Sequence, residues 1–400
     1  MGNIVIKRPD YINRLMGFKD KQLIKAITGI RRCGKSFLFS LYQQELLKCG
    51  IEPSQIISIN LEDPDYGFIT DWHTLYSHIM KLLLPDKMNY VFIDEAQNIP
   101  DFQKAADGLF IRNNVDLYIT GSNSRLKSGE WATLLGGRYV EINMLPLSLK
   151  EYSEAYPGLS PDELLAKYIS GSSFPYALQM EDWQQTNEYL GGIYSTIVLK
   201  DIADNSRIRV ISRLEKIIRF MAGNIGSITS IKKISDTLTS SGLKMLPMTA
   251  QSYIQALEQS FIFYRAGRYD IKGKKILQSL DKYYISDIGI RHYLLGRKAA
   301  DTGHILENIV FLELLRRRNR VYIGKADNLE LDFVAENSSG LAYYQVSQSI
   351  ITPETMEREL RPFSKIKDNY PKYLLTLDRM HYGDFDGIRH INIADWLLAN

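Results

Sequence analysis

The sequence contains few cysteines and no long apolar run. Cys33 and Cys49 are the only cysteines among its 400 residues, which excludes a disulfide framework and suits a reducing compartment. No stretch approaches the roughly 18 consecutive apolar residues that a membrane span needs. The N-terminus, "MGNIVIKRPD", lacks the apolar core of a signal peptide. We therefore expect a cytoplasmic protein with no membrane partner.

The sequence also has little net charge. Its 49 Lys and Arg residues nearly balance its 46 Asp and Glu residues, for a formal net charge of +3. Global electrostatics therefore demand neither a nucleic-acid nor a membrane partner. The sequence shows no Cys/His cluster with metal-ligand spacing and no internal repeat. At 45% hydrophobic residues, the chain is long enough for two or three domains with buried cores.

The segment "GIRRCGKS" (29–36) has the composition and spacing of a phosphate-binding loop. The preceding "LIKAIT" (23–28) predicts a short buried strand, and "KSFLFSLYQQELLKCG" (35–50) predicts a helix. A strand, the G-x-x-x-x-G-K-S loop and then a helix is the context that the P-loop mechanism requires, because backbone N–H groups and the helix N-terminus face the phosphates.

Each residue type in this loop has a role in that mechanism. Gly29 and Gly34 allow the backbone to turn its N–H groups toward phosphate oxygens. Lys35 is expected to reach the β- and γ-phosphates and to contribute to catalysis, and Ser36 is expected to ligate Mg²⁺. The predicted nucleotide-binding residues are Gly29, Ile30, Arg31, Arg32, Cys33, Gly34, Lys35, Ser36 and Phe37.

A second signal follows in "YVFIDEAQ" (90–97), an apolar strand that ends in two carboxylates. In P-loop enzymes a strand-end aspartate holds Mg²⁺, and the next glutamate polarises the attacking water. We therefore predict that Asp94 binds the metal together with Ser36 and that Glu95 is the catalytic glutamate.

Two further elements are candidates for contact with the γ-phosphate. The predicted strand "VDLYITGS" (115–122) leads to Ser122 and Asn123, which could contact the γ-phosphate or the attacking water, or could simply form a turn. Arg138, in "LLGGRYVEI", could sense the γ-phosphate or act as an arginine finger, or could be an ordinary surface arginine. The sequence leaves open whether Arg138 would act on its own nucleotide or on a neighbour's.

The alternation of strands and helices predicts an α/β core with a parallel sheet that is covered on both faces. The segments "GIRRCGKS", "YVFIDEAQNI", "YITGSNS" and "LLGGRYVEINMLPLSLKEY" together resemble a prokaryotic family of AAA-type P-loop ATPases with an uncharacterised C-terminal region. The resemblance covers the whole chain, and "LPLSLKEY" is its most specific segment. It implies an ASCE-type core over residues 1–170, ATP as the nucleotide and a catalytic glutamate, which fits Glu95.

The middle of the chain (171–290) is predicted to be helical. After the loop "GSSFPYAL" (171–178), three helices are predicted at 213–226, 230–242 and 249–261, followed by a hairpin formed by "FIFYRAGRYD" and "KKILQSLDKYYISD". Three helices and a hairpin make a winged helix, which the family resemblance also implies. The helix at 249–259, where DNA would be read, has no Lys or Arg. Packing on the ATPase core is therefore favoured over DNA binding.

Residues 291–400 are predicted to form a small α/β domain. "HILENIVFLELLRRRN" (304–319) reads as an amphipathic helix, followed by the strands "LELDFVA" and "LAYYQVS". Glu307 and Asp332 match the outline of PD-(D/E)xK nucleases, but Gln345 and Ser347 stand where the second acid and the lysine are needed. No nuclease activity is expected, and the run "RRRNR" (316–320) fits a helix C-terminus better than a nucleic-acid patch.

Three functional classes remain after these observations. The favoured class is an ATP-hydrolysing switch that uses Mg²⁺ and acts on an unidentified protein partner. The second is an ATP-driven nucleic-acid-binding or processing protein, and the third is a nucleotide-binding scaffold with negligible turnover, which Lys35, Asp94 and Glu95 argue against. The sequence leaves open whether the protein forms an oligomer.

Overall fold

The computed structural model describes residues 5–121, 135–203, 211–297, 301–380 and 383–399. The helices of the N-terminal part are α1 (Pro9–Gly17), α2 (Lys35–Lys48), α3 (Trp72–Leu82), α4 (Phe102–Phe110), α5 (Leu149–Ser153), α6 (Pro161–Ser170) and α7 (Trp183–Thr196). The strands of this part are β1 (Ile24–Thr28), β2 (Ile56–Asn60), β3 (Asn89–Asp94), β4 (Val115–Thr120) and β5 (Tyr139–Asn143). No helix in the described part of the chain is long and apolar enough to cross a membrane.

These five strands form one parallel sheet in the order β2-β3-β4-β1-β5. Every residue of β1, β3 and β4 is buried, because helices cover both faces of the sheet. The predicted α/β core with a parallel sheet is therefore confirmed. β4 lies between β1, which leads into the glycine loop, and β3, which ends in the two carboxylates.

The parallel arrangement brings the functional segments to one edge of the sheet. Thr28, at the end of β1, pairs with Asn143, and Asn60, at the end of β2, pairs with Asp94. The loop after β1 and the carboxylates after β3 therefore lie at the carboxyl ends of their strands, where ligands bind in open parallel sheets.

A helical region follows the core. It contains α8 (Ile211–Gly223), α9 (Ile231–Ser240), α10 (Pro247–Gln259) and the antiparallel hairpin of β6 (Phe263–Asp270) and β7 (Lys275–Ile285). The three helices and the hairpin match the predicted element order. Their assignment as a winged helix remains a prediction, as do the domain bounds at 170 and 290.

The C-terminal part contains α11 (Ile288–Leu295), α12 (Thr302–Arg316), β8 (Arg320–Ala326), β9 (Leu329–Asn337), β10 (Gly340–Val346), α13 (Pro353–Leu360), β11 (Lys372–Thr376), β12 (Asp384–Phe385), β13 (Ile388–Asn392) and α14 (Ile393–Leu398). Its strands and the β6–β7 hairpin form one sheet in the order β12-β13-β11-β10-β9-β8-β6-β7, in which β6 pairs with β8 in parallel. The hairpin thus belongs to the same sheet as the strands that follow residue 290.

The helix α12 differs from its prediction. An amphipathic helix would expose one face, but every residue from Ile305 to Leu314 is buried, including Glu307 and Glu313. The prediction was wrong because α12 is covered on all sides by packing partners that its local pattern does not reveal. At its C-terminus, Arg316 pairs with Glu313 at 2.9 Å and donates to the carbonyl oxygen of Pro146 at 2.7 Å. The first arginine of "RRRNR" therefore binds partners within the protein.

A buried carboxylate joins the core to the C-terminal part. Asp287, which caps α11, accepts hydrogen bonds from the backbone N–H and the hydroxyl of Ser173 at 2.7 and 2.6 Å. It also accepts from the Ser172 hydroxyl at 3.2 Å. Pro175 follows in the same segment and approaches the P-loop. A Cβ added to Gly34 would lie 3.7 Å from the Pro175 Cγ atom. One short segment, 172–175, therefore touches both the P-loop and the start of α11.

Candidate nucleotide-binding site

The loop between β1 and α2 can adopt its conformation only with glycine at two positions. Gly29 has φ 144°, and a Cβ there would lie 2.2 Å from the carbonyl oxygen of Met144, which is backbone and cannot move aside. Gly34, the residue before α2, has φ 103°. Both values lie in the region that side chains disfavour, which accounts for the two glycines of the motif.

Lys35 begins α2 with its side chain turned back over the loop. The residue is buried, and its Nζ atom donates to the carbonyl oxygens of Gly29 at 3.1 Å and Ile30 at 3.4 Å. A buried ammonium held by loop carbonyls lies on the loop's inner side, where it can exchange these acceptors for phosphate oxygens. Ile30 and Cys33 are buried beneath the loop, whereas Arg32, Ser36 and Phe37 are exposed.

Asp94 lies at the end of β3 and contacts Ser36. The carboxylate of Asp94 accepts hydrogen bonds from the hydroxyl groups of Ser36 and Thr120. Burial raises the pKa of Asp94 above its usual value, although these two hydrogen bonds oppose the shift. A hydroxyl and a carboxylate in contact are the oxygen donors that Mg²⁺ prefers, and a bound cation would stabilise the ionised carboxylate.

No group of three or more His, Cys, Asp or Glu side chains suited to a metal ion occurs among the described residues.

Glu95 follows Asp94 with a left-handed backbone, at φ 54°. Its backbone N–H donates to the Thr120 hydroxyl at 2.9 Å, and its carboxylate accepts a hydrogen bond from the side-chain amide of Gln97. The residue is 7% exposed. The charge of Glu95 helps to raise the pKa of the P-loop arginine Arg31.

The remaining predicted residues are not gathered at this edge of the sheet. Ser122 and Asn123 lie outside the described residues. Arg138 directly precedes β5, whose first residue pairs with Ile24 at the start of β1. Arg138 is therefore at the amino-terminal edge of the sheet, a strand length of five residues, or about 17 Å, from the P-loop edge. There it contacts Asp107 at 3.5 Å and the Phe110 ring. Arg138 is therefore remote from a nucleotide bound to its own P-loop, and only a nucleotide bound to a neighbouring subunit could be within its reach.

Sequence reasoning missed Arg8, which supports the P-loop from outside the motif. Arg8 is 2% exposed. It donates to the carbonyl oxygens of Cys33 at 3.4 Å and Leu145 at 2.7 Å, and it forms an ion pair with Glu151 at 2.8 Å. No local pattern signals this role, because the partners are distant in sequence.

A second polar cluster lies in the C-terminal sheet and contains both acids of the predicted nuclease outline. Lys282 of β7 is 2.7 Å from Glu307, 2.9 Å from Glu330 and 3.9 Å from Asp332. The hydroxyl of Tyr284 also donates to Glu307, at 2.6 Å. Lys282 and Glu330 were not predicted as members of this site, because they lie on other strands and in no recognised motif.

Charges inside this cluster oppose the effect of burial on the pKa values of Lys282 and Glu307 and add to it for Asp332. Burial lowers the pKa of Lys282, but the charges of Glu307, Asp332 and Glu330 raise it more, so the net shift is upward. Burial and the charge of Glu307 raise the pKa of Asp332 well above its usual value. For Glu307 the charge of Lys282 outweighs burial with the help of hydrogen bonds, and the pKa is lowered. The buried ammonium of Lys282 is therefore the cation that Glu307, Glu330 and Asp332 share.

Gln345 and Ser347 lie beside this cluster but act as hydrogen-bonding groups. Gln345 accepts from the backbone N–H of Asp332 at 3.3 Å and donates to Glu359 at 2.8 Å. The Ser347 hydroxyl donates to the carbonyl oxygen of Ser349 at 3.2 Å. The nuclease-like assignment of this domain remains a prediction.

The comparisons with known proteins agree with the geometry of the core. Residues 21–153 match the model of an AAA domain family, and residues 162–301 match a domain family of unknown function. Among solved structures, a Walker-type ATPase of Pyrococcus abyssi is similar over 72% of this chain and 96% of its own, with a TM-score of 0.50 and 18% identity. That likeness concerns the fold alone.

Two curated relatives extend the similarity over almost the whole chain. An uncharacterized protein of Haemophilus influenzae is 39% identical over 100% of both chains. An uncharacterized protein of Methanocaldococcus jannaschii is 27% identical over 98% of this chain and 89% of its own. The chain therefore belongs to the same protein family as the Haemophilus influenzae protein, and its residues 21–153 match the AAA domain family, with the P-loop and the strand-end carboxylates in place.

Proposed function

We propose that the protein binds and hydrolyses Mg-ATP and uses the nucleotide state as a switch toward a protein partner. The observation that carries this proposal is the contact between Ser36 of the P-loop and Asp94 of β3, with Glu95 next to it. Lys35 would bind the β- and γ-phosphates, Ser36 and Asp94 would hold Mg²⁺, and Glu95 would orient the attacking water.

The proposal assigns two further roles, one to Ser122 and Asn123 and one to Arg138. Ser122 and Asn123 would sense the γ-phosphate. Arg138 would act in trans, from a neighbouring subunit of an oligomer, since it lies at the far edge of the sheet from the P-loop. An oligomer-dependent arginine finger is a known way of supplying positive charge to the transition state.

Support for a switch comes from segment 172–175. Pro175 lies against the P-loop, and Ser172 and Ser173 are held by Asp287 at the start of α11. A change in the P-loop on nucleotide binding would therefore act directly on a buried hydrogen-bonded joint with the C-terminal part. Coupling needs such a contiguous element with two arrangements, each favoured by a different ligand state.

The test is titration calorimetry with Mg-ATP on the full chain and on Lys35→Ala. Removing the ammonium should weaken ATP binding by about 10- to 100-fold, which corresponds to a charged hydrogen bond. The matched control is Lys48→Ala, at the far end of the same helix, where the side chain is 69% exposed. Equal affinities for Lys35→Ala and the wild type would refute the proposed binding mode.

A second candidate, an ATP-driven nucleic-acid-binding protein, is favoured by one observation. An open groove of about 580 Å³ is lined by Asp270, Lys272, Lys325, Asp327, Asn328, Leu329, Arg361 and Lys365. Four of these side chains are cationic and come from the hairpin tip, the end of β8 and the segment after α13. Such a groove suits phosphodiester contacts.

Turnover measured with and without duplex DNA separates the two candidates. DNA-independent turnover supports the switch. DNA-stimulated turnover that is lost in the triple variant K325Q/R361Q/K365Q supports the second candidate.

A further inference from the structure

Arg31 of the P-loop is held by a carboxylate 170 residues away. Its Nε atom donates to both carboxylate oxygens of Asp201, at 3.3 and 3.1 Å, and its Nη2 atom donates to Oδ1 at 2.9 Å. The Asp201 side chain is 4% exposed, and that of Arg31 is 17% exposed. Asp201 lies in the π-helical turn Ile197–Ala203 that continues α7. A fork of this kind fixes the guanidinium plane relative to the loop.

Arg31 lies among anions on the side of the loop where the strand-end carboxylates are. Its Nη1 atom is 3.3 Å from Glu62. Burial lowers the pKa of Arg31, but Asp201, Glu95 and Glu62 raise it more. The guanidinium is thus close enough to Glu95 for their charges to interact. A triphosphate in the loop, with its terminal phosphate near Glu95, would add the most highly charged anion to this group.

The other arginines near the motif are directed elsewhere. Arg32 is exposed, with a left-handed backbone at φ 68°, and its charge acts on Tyr189. Arg138 is at the opposite edge of the sheet. Among these three arginines of one chain, Arg31 is therefore the one whose charge interacts with that of the predicted catalytic glutamate.

We infer that Arg31 contacts the terminal phosphate of ATP and that it exchanges between this phosphate and Asp201. Without the γ-phosphate, Arg31 holds Asp201 and with it the turn 197–203. With ATP bound, the phosphate oxygens compete for the same donors, and the turn loses its link to the P-loop. This inference rests on the proposed nucleotide binding and names the residue pair through which that site would control the segment after α7. A ligand shifts such an equilibrium only through its differential affinity for the two arrangements, so the exchange requires that ATP and ADP act differently.

The experiment compares the affinities of a non-hydrolysable ATP analogue and of ADP, both with Mg²⁺, by titration calorimetry. Arg31→Gln should weaken binding of the analogue by about 10- to 100-fold, the range for a lost charged hydrogen bond, and should change ADP binding by less than about 3-fold. Arg389→Gln, at an exposed position of β13 in the C-terminal sheet, is the control and should leave both affinities unchanged. Because Arg31→Gln removes the ion pair of a buried carboxylate, the double variant Arg31→Gln/Asp201→Asn is measured as well and should show the same loss of ATP preference.

Asp201→Asn tests the other half of the exchange. It frees Arg31 for the phosphate and should strengthen binding of the analogue or leave it unchanged. Amide hydrogen exchange of residues 197–203 should accelerate on analogue binding in the wild type and be fast without nucleotide in Asp201→Asn.

The outcomes separate this inference from the proposed function. If the wild type binds neither nucleotide, the proposed function fails and the inference fails with it. If the wild type binds both, Lys35→Ala loses both, and Arg31→Gln keeps the wild-type ratio of analogue to ADP affinity, only the inference is overturned. Equal losses for the two nucleotides in Arg31→Gln would likewise overturn it, because Arg31 would then not read the terminal phosphate.

Discussion

The side-chain amide of Gln97 donates a hydrogen bond to the carboxylate of Glu95, two residues earlier in the same turn. Glu95 is thereby oriented by its own loop before any substrate arrives. A general base must be within hydrogen-bond reach of the water it activates, and its orientation decides how well it does so.

Gln97→Ala should therefore lower kcat while leaving ATP affinity unchanged. We expect a loss of about tenfold, a part of the 10²–10⁴-fold that general-base help contributes. Steady-state kinetics separate the two parameters. An unchanged kcat would mean that the hydrogen bond is not used in catalysis, and a changed Kd for ATP would mean that Gln97 supports binding instead.

The Lys282 cluster should be important for stability. Lys282→Met leaves Glu307, Glu330 and Asp332 together without their common cation, and loss of one partner from a buried ion cluster costs about 3–5 kcal/mol. Denaturant unfolding measures this cost, with Lys272→Met as the control, because Lys272 is 83% exposed at the hairpin tip. The deficit should shrink at acidic pH, where the carboxylates become protonated. A deficit equal to the control's would show that the cluster is not coupled as described.

The same cluster should not cleave DNA. Gln345 and Ser347 replace a charged metal ligand and a cation, and each lost electrostatic group typically costs ~10²–10³-fold in rate. Lys282 is a lysine in the site, but the three carboxylates already hold its ammonium. Plasmid and single-stranded DNA with Mg²⁺ or Mn²⁺ should stay intact, and Asp332→Ala should behave as the wild type does. Reproducible cutting that disappears in Asp332→Ala would contradict this prediction and show that Lys282 supplies the missing charge.

The stability of the protein should depend on pH through the protonation of Glu258 on α10. Burial raises the pKa of Glu258 from its ordinary value of 4.5 to about 7, although the nearby charge of Arg265 opposes the shift. The folded state therefore keeps a proton that the unfolded state has released between these pH values. The contribution of Glu258 to stability is highest below pH 4.5 and falls as the pH rises toward 7.

Glu258→Gln should remove this loss. We compare the free energy of unfolding of Glu258→Gln with that of the wild type. This difference should be up to about 3 kcal/mol more favourable to the variant above pH 7 than at pH 4.5, because each pKa unit corresponds to 1.36 kcal/mol. Unfolding free energies across this range, with the exposed Glu215→Gln of α8 as the control, check the prediction. Parallel pH profiles for the wild type and Glu258→Gln would contradict it.

The parts of the fold that follow local rules were predictable from the sequence. The strand, glycine loop and helix around Lys35 depend on neighbouring residues, and so does the strand that ends at Asp94. Contacts between distant segments were not predictable in this way. Arg8 with Glu151, Arg31 with Asp201 and Lys282 with Glu307 each join residues that no spacing rule relates.

One error has this origin. The apolar spacing of α12 suggested one buried face, but packing on all sides buries even Glu307 and Glu313. The place of Arg138 at the other edge of the sheet also depends on strand direction, which a list of motifs does not show.

The most direct test of the account is ATP turnover by Glu95→Gln. The variant keeps the size of the side chain but removes its basicity. It should therefore bind Mg-ATP with the wild-type affinity and hydrolyse it more slowly by about 10²-fold or more. Glu45→Gln, on the surface of α2, serves as the control and should hydrolyse ATP as the wild type does. Hydrolysis by Glu95→Gln at the wild-type rate would contradict the central claim, because the water would then be activated by another residue.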